Sequence, residues 1–246
     1  MKIALIGYGK MGKTIEEIAL QKKHTVVLTV DEHNANSFTA EELSKADVAI
    51  EFTRPEAAFG NIMKCFDANV PVVSGTTGWI DRMEEVKKIC LQKNQTFFYA
   101  SNYSIGVNIF FEVNKKLAAL MNNQPEYNEI LINEIHHLQK LDAPSGTAIS
   151  LAQQILEKVN RLKSWSNYSS SENKPPVKKD EELPIFSSRE GEVPGTHIVK
   201  YFSHEDEIEI IHKAFSRKGF AAGAVLAAEW IKGRKGVFGM KDLLNF

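Results

Sequence analysis

Cysteine is nearly absent from these 246 residues: Cys65 and Cys90 are the whole supply. Two cysteines build neither a disulfide framework nor a four-cysteine zinc site. The expectation is a chain without a structural metal, in a reducing cytoplasm, with both thiols buried and inert. Long apolar runs are missing too, and none approaches the roughly 18 residues that span a bilayer. The opening run, Lys2–Ile6, is strand-like at once and too short for a signal-peptide core. An excess of one charge is also lacking, with 30 Lys and Arg against 31 Asp and Glu. That balance argues against a strongly basic nucleic-acid binder. What is present, 43% hydrophobic and 25% charged residues, fits an ordinary globular protein rather than a disordered chain. The length suits one large domain or two small ones.

The first hundred residues alternate strand and helix signals. Lys2–Ile6, Thr25–Val30, Val48–Phe52, Val70–Val73 and Thr96–Tyr99 read as strands. Helical spacing joins Met11, Ile15, Ile18 and Ala19, and Glu56–Ala68 and Met83–Leu91 read as helices. Apolar strands bounded by turns and alternating with helices predict βαβ units and a parallel sheet buried on both faces. Phe97 and Phe98 read as core, as does Phe110 further on. The pattern then changes. Ile109, Phe110, Val113, Leu117, Leu120 and Met121 form one helical stripe, Glu129–Glu134 reads as a strand, and a second helix turns Ile149, Ala152, Leu156 and Val159 inward. Asn160–Ser188, rich in Ser, Lys and Pro, reads mostly as loop, with Lys178–Glu182 a solvated charge run. Ile198–Phe202 and Ile208–Lys213 form a hairpin, and Phe220–Ile231 is an Ala-rich helix.

Gly7-Tyr8-Gly9-Lys10-Met11-Gly12 has the G-x-G-x-x-G spacing. The pattern alone is weak, but here it follows a strand, opens a helix, and precedes Asp31 at the end of the second strand. Gly7 permits a tight turn, Gly9 lets backbone approach a pyrophosphate, and Gly12 lets helix and strand pack closely. The helix start offers free N–H groups and its positive dipole end to phosphates. A plain Gly-rich turn accounts for less of this context than a dinucleotide site does. Asp31 is placed to accept hydrogen bonds from an adenosine ribose, and no Lys or Arg occurs in Asp31–Phe38 to receive a 2′-phosphate. NADH is therefore favoured slightly over NADPH, with Lys10 able to supply one charge.

The densest chemistry is Glu134-Ile-His136-His137-Leu-Gln-Lys140-Leu-Asp142-Ala-Pro144-Ser145-Gly146-Thr147-Ala148. Two histidines and a lysine sit at a strand end, and Ser145-Gly146-Thr147 opens a helix. Free N–H groups and hydroxyls at a helix start suit a carboxylate or phosphate. A histidine titrating near neutrality can donate a proton. The plainer readings are helix capping for Ser-Gly-Thr, and strand-end hydrogen bonding or an incomplete metal site for His-His.

This segment resembles the signature E-x-H-H-x-x-K-x-D-A-P-S-G-T-A of the dihydrodipicolinate reductase family. Supporting matches run along the chain: Gly7–Gly12, Glu51–Pro55, Gly75-Thr-Thr-Gly78, Ser101–Gly106, Gly191–His197 and Phe220–Val225. Many members carry a glycine loop one residue longer with Arg before its Met-Gly, where this chain has Lys10. The resemblance implies an α/β fold: an N-terminal Rossmann-like parallel sheet plus an α+β central domain for substrate binding and oligomerisation. Residues 1–104 and 217–246 would form the dinucleotide-binding domain and 105–216 the central one. It implies reduction of a cyclic unsaturated dicarboxylate by NADH or NADPH on the route to lysine, in a cytoplasmic homotetramer.

By motif position, His136 would donate the proton and Lys140 would stabilise charge developing on the ring. His137, Lys140, Ser145, Gly146 and Thr147 would hold the carboxylates. The Gly7–Gly12 loop and Asp31 would bind the cofactor with Phe52 and Thr53, while Gly75, Thr76, Thr77, Ala100, Ser101, Asn102 and Tyr103 would lie against its nicotinamide half. The competing readings are another nicotinamide-dependent dehydrogenase, acting on an amino acid such as aspartate, and a non-catalytic NAD sensor. A sensor has no need of two histidines and a lysine beside a Ser-Gly-Thr cradle.

Overall fold

The structure, a computed structural model, describes residues 1–169 and 181–246. They divide into two units: Met1–Ile105 with Lys218–Phe246, and Gly106–Arg217. No helix among the described residues is long and apolar enough to cross a membrane.

The first unit is built on strands β1 (Lys2–Ile6), β2 (Thr25–Val30), β3 (Val48–Glu51), β4 (Val72–Ser74) and β5 (Thr96–Tyr99). Helices α1 (Lys10–Gln21), α2 (Ala40–Leu43), α3 (Pro55–Asp67) and α4 (Met83–Gln92) lie between them. After α7 (Lys218–Ile231), a short strand β11 (Gly236–Phe238) joins the sheet and α8 (Met240–Leu244) follows. The order is β11-β5-β4-β3-β1-β2, with every pairing parallel. Strands such as β3, buried at all its residues and apolar from Val48 to Ile50, are covered by helices on both faces. Ile3, Leu5, Ile50 and Phe98 pack with Ala224, Val225 and Ala228 of α7, while Ala4, Ala49, Val72 and Phe97 pack with Ile62, Phe66 and Val86. Both cysteines are buried, and burial raises both thiols, that of Cys90 to about 11. The chain leaves β1 towards β2 on one side and returns to β3 on the other. The carboxyl ends of β1 and β3 therefore form the topological switch point, where open α/β sheets bind ligands.

The second unit carries β6 (Glu129–His136), β7 (Ser164–Ser169), β8 (Glu182–Arg189), β9 (Thr196–Phe202) and β10 (Glu207–Lys213) in the order β10-β9-β6-β8-β7. The β7–β8 and β8–β6 pairs are parallel, and β6–β9 and β9–β10 are antiparallel. Side chains of α5 (Ile105–Met121) and α6 (Gly146–Leu156) share one core with Ile130, Ile132, Leu183, Ile185 and Val199.

Three expectations change here. The described part of Asn160–Ser188 is mostly strand, since β7 lies within it and β8 begins at Glu182; residues 170–180, with Lys178–Asp180 of the charge run, fall outside the described residues. Pro184 reads as a breaker, yet it faces only Ser166 of β7, because the β6 ladder begins at Ile185. The buried stripe of α5 runs Phe110-Asn114-Ala118-Met121, leaving Ile109, Val113 and Leu120 exposed. Asn114 enters that core because its amide donates to Leu151 O at 3.2 Å and Gln154 Oε1 at 3.0 Å. In α6 the inward residues are Ala148, Leu151, Ala152 and Ile155, so Ile149 and Leu156 are only half-buried. A helix apolar on most sides does not reveal its buried phase by periodicity.

Candidate active site

In the first unit the glycine loop spans the switch point. The N–H groups of Gly7 and Tyr8 both donate to Val30 O, at 2.8 and 2.9 Å. Gly7 has φ +102°, and a Cβ on it would stand 1.9 Å from Phe52 O. A Cβ on Gly12 would stand 2.2 Å from Gly7 O, so this glycine sets the approach of α1 to the loop. Gly9 differs: a Cβ there would meet nothing within 4 Å. It is the N-cap of α1 and has no side-chain cap, so first-turn N–H groups face open space. Nothing within the protein requires Gly9 to lack a side chain, and a close-approaching diphosphate would. The residues present therefore fit a dinucleotide.

The other loops at this edge are tied to one carboxylate. Glu51, at the end of β3, is wholly buried. It accepts from Ser74 Oγ at 2.6 Å, Thr76 Oγ1 at 2.8 Å and Thr53 N at 3.1 Å, with a further short bond from Thr53 Oγ1. Gly75 lies so close to Phe52 that a Cβ would fall 2.2 Å from its ring. Tyr103 packs 5.5 Å from Phe52 between ring centroids, and its hydroxyl donates to Ser74 O at 2.7 Å. Thr77 and Ser101 are exposed, whereas the Thr76 hydroxyl and the Tyr103 ring point inward. Ala100 N donates to Ser74 O, and Asn102 Oδ1 accepts from Ser104 N. Tyr8 bonds Glu16 of α1, Met11 packs partly on the core, and Lys10 is exposed. One Asp31 oxygen accepts from His33 N at 2.8 Å within the turn. Beside that turn Arg54, the N-cap residue of α3, comes 3.9 Å from Glu32. The segment after β2 holds no cation of its own, but the fold brings one from β3's side.

In the second unit, alternation along β6 puts Glu134 and His136 on one buried face. Register then completes a rung: Ser187 of β8 and His197 of β9 both pair with Glu134. Glu134 is wholly buried, and its two oxygens each lie 3.1 Å from the donating Ser145 N–H. Ser187 Oγ donates to it at 2.7 Å, and Arg189 Nη1 stands 3.6 Å away. His136 Nδ1 is 3.4 Å from Glu134 Oε2, and His197 Nε2 is 3.9 Å from the same oxygen. The two imidazoles meet edge to face at 5.1 Å. Ligating atoms of Glu134, His136 and His197 all lie within 4.8 Å, but the carboxylate is already taken up by Ser145 and Ser187.

Burial pushes His136 down to about 4, with Lys140 and Arg189 adding to the fall while Glu134, the largest charge contribution, opposes it. Burial likewise pushes His197 down to about 3, helped by His136, His212 and Lys140. His197 Nε2 lies 3.1 Å from Ser145 Oγ, which also accepts from Ala148 N and so caps α6. Gly146 and Thr147 form the first turn, whose N–H groups have no acceptor within the helix. Lys140 Nζ is paired with Asp142. Arg189 holds the loop between them through Lys140 O and Asp142 O, at 3.3 and 2.6 Å. His137 parts from its neighbour and lies 3.4 Å from Arg217.

Sequence reading missed Glu51, Ser187, Arg189 and His197 as working residues, and gave Glu134 no role. The available signal was a carboxylate at an inward position of an apolar strand, which burial makes costly unless it is hydrogen-bonded.

Two family models match the chain: "Dihydrodipicolinate reductase, N-terminus" over residues 1–103 and "Dihydrodipicolinate reductase, C-terminus" over 106–244. A curated relative from Christiangramia forsetii, named 4-hydroxy-tetrahydrodipicolinate reductase, is 51% identical over 249 positions, covering 100% of this chain and 98% of that protein. One of the same name from Neisseria meningitidis is 32% identical over 267 positions, covering 100% and 97%. Among solved structures, dipicolinate-bound dihydrodipicolinate reductase from Paenisporosarcina sp. has the same fold, with a TM-score of 0.74 at 23% identity over 98% of each chain.

Proposed function

The chain belongs to the dihydrodipicolinate reductase family, and we propose that it reduces dihydrodipicolinate, formed from 4-hydroxy-tetrahydrodipicolinate, to tetrahydrodipicolinate. This is a step of the diaminopimelate and lysine route. The observation that carries the reading is the convergence of an imidazole, an ammonium and an open helix start in a chain whose whole length matches such reductases.

Residues 1–104 and 217–246 form the nucleotide domain in this reading. Gly7 to Gly12 hold the diphosphate and Asp31 the ribose. Phe52, Thr53, Gly75, Thr76, Thr77 and the Ala100–Tyr103 backbone shape the nicotinamide side. When bound, the reduced nicotinamide supplies the hydride. Asp31 favours NADH, and Arg54 gives NADPH a partner for its 2′-phosphate, so the preference for NADH is modest.

Residues 105–216 bind the diacid and carry assembly into a homotetramer, in the cytoplasm. The first-turn N–H groups of Gly146 and Thr147 take one carboxylate, with the Ser145 hydroxyl. His197 decides how that hydroxyl points. Its Nδ1 is buried without a partner, and a lone pair is cheaper to strand there than an N–H. The proton therefore sits on Nε2 and is donated to Ser145 Oγ, which frees the hydroxyl proton for substrate. Lys140 and His137 meet the other carboxylate, and Lys140 offsets charge that develops on the ring. His136 protonates the electron-rich position left by hydride addition. It is neutral in the free protein, and an arriving dianion favours its charged form.

The test follows the absorbance of reduced nicotinamide with enzymatically generated dihydrodipicolinate, run in parallel with NADH and NADPH. Consumption of either with formation of tetrahydrodipicolinate is expected. No oxidation of either removes the reading.

A further inference from the structure

Among buried groups not yet given a task, Glu134 stands out. We infer that Glu134 is a positioning residue for the proton donor. Its carboxylate holds the Nδ1 side of His136 and carries the counter-charge of the imidazolium, so that Nε2 is the nitrogen that releases a proton. The inference rests on the proposed role of His136 as donor.

Four observations support it. First, the two residues are fixed on one face of β6, with Oε2 3.4 Å from Nδ1 and the carboxylate sealed from solvent. Second, Nδ1 is buried and lacks an aligned hydrogen-bond partner, so a proton arriving there finds Glu134 at ion-pair distance. Third, the other nitrogen faces Gly195, where a Cβ would stand 3.0 Å from Nε2. Glycine leaves open the space that any side chain would fill in front of the reactive nitrogen. Fourth, the carboxylate is itself held by Ser145 N–H and Ser187 Oγ. Ser145 caps α6, so one buried group sets both the donor and the helix start beside it.

The charges around His136 give Glu134 its weight. From the loop after β6 come Lys140 and Asp142, from β8 comes Arg189, and from β9 comes the His197 ring. Lys140 and Arg189 oppose an imidazolium, and burial opposes it most. Glu134 is the strongest charge favouring it, ahead of the exposed Asp142. In the step itself, the Nε2–H bond breaks as the bond from that proton to the ring atom forms. Neutral imidazole remains with its Nδ1–H towards Glu134, and a proton from water restores the cation.

Glu134→Gln keeps the shape and an oxygen for Ser145 and Ser187 but removes the charge. In histidine NMR titrations of the full chain saturated with dipicolinate, a dicarboxylate that favours the charged imidazole, His136 is expected to lose its proton about one to two pH units lower in this variant than in wild type, the range a single carboxylate neighbour commands. The donor must be charged, so kcat falls as pH rises through that value, and without Glu134 the fall comes earlier. At near-neutral pH kcat drops about 10- to 100-fold, in step with that shift, and recovers in mild acid, while KM moves little. An unmoved His136 titration, or a loss of kcat equal at every pH, overturns the inference. Glu134→Asp, which retracts the charge by one methylene, guards against a Gln variant that does not fold. Its His136 titrates below wild type, and no movement there is equally fatal. A His136→Asn variant that keeps wild-type kcat defeats the donor assignment itself. Full dependence on His136 with an unmoved titration in Glu134→Gln defeats only the positioning role.

Discussion

Lys140 Nζ lies 2.7 and 2.8 Å from the two carboxylate oxygens of Asp142, so the ammonium assigned to the substrate already has an internal anion. Burial pushes the Asp142 carboxyl up, but the hydrogen bond and charge of Lys140 outweigh it and hold the group below its ordinary value. Asp142 is largely exposed and competes with an arriving carboxylate. Asp142→Asn is expected to lower KM for the diacid by up to about fivefold, the equivalent of one exposed ion pair, with kcat nearly unchanged. A raised KM would show that Asp142 orients Lys140 instead.

Loss of the donor and loss of the cation leave different kinetic signatures. His136→Ala removes proton delivery and is expected to lower kcat by about 10²- to 10⁴-fold with a small change in KM. Lys140→Ala removes both a carboxylate contact and charge stabilisation, so kcat falls and KM rises together. Steady-state kinetics over a full substrate range separate the two, and wild-type turnover in Lys140→Ala contradicts its role.

The first two glycines of the loop are held by different constraints. Gly7→Ala places a Cβ 1.9 Å from Phe52 O at a φ of +102°, so this variant should unfold at markedly lower temperature. Gly9→Ala meets no protein atom within 4 Å. It should melt within about 4 °C of wild type, an N-cap change of about 0.5–1 kcal/mol, yet bind NADH at least about tenfold more weakly, since its new methyl occupies the phosphate approach. Calorimetry paired with nucleotide titration checks both, and unchanged NADH affinity in Gly9→Ala would take the loop out of cofactor binding.

Acid should weaken the second unit. His136 and His197 are held at about 4 and about 3 in the folded chain, below the ordinary histidine value of 6.5. The unfolded chain therefore binds more protons than the folded one once pH drops under about 6.5. Stability is complete above that pH and declines as pH falls towards 4 and then 3. His197→Asn removes one of the two groups, so its melting temperature should fall less steeply with acidity than the wild type's. Equal slopes would mean that His197 does not stay neutral on folding.

Much of the first unit was legible without coordinates. Lys2–Ile6, Thr25–Val30 and the glycine loop carry their structure locally, since apolar runs, β-branching and turn glycines act over a few residues. The His136–Thr147 segment was equally plain, because a strand end, a proline turn and a helix cap follow one another in the chain. The inward phases of α5 and α6 and the strands β7 and β8 were not, because Asn114, Pro184 and Ser187 contradict local rules that tertiary partners override. The sequence by itself thus determined which elements form around the glycine loop and which residue types gather near Thr147. Only the tertiary structure decided that Glu51 ties two loops, that Arg54 reaches the end of β2, and that Ser187, Glu134 and His197 share one rung. Those meetings depend on strand register and sheet order between segments far apart in the chain, and no local pattern specifies which distant polar group will satisfy a buried carboxylate.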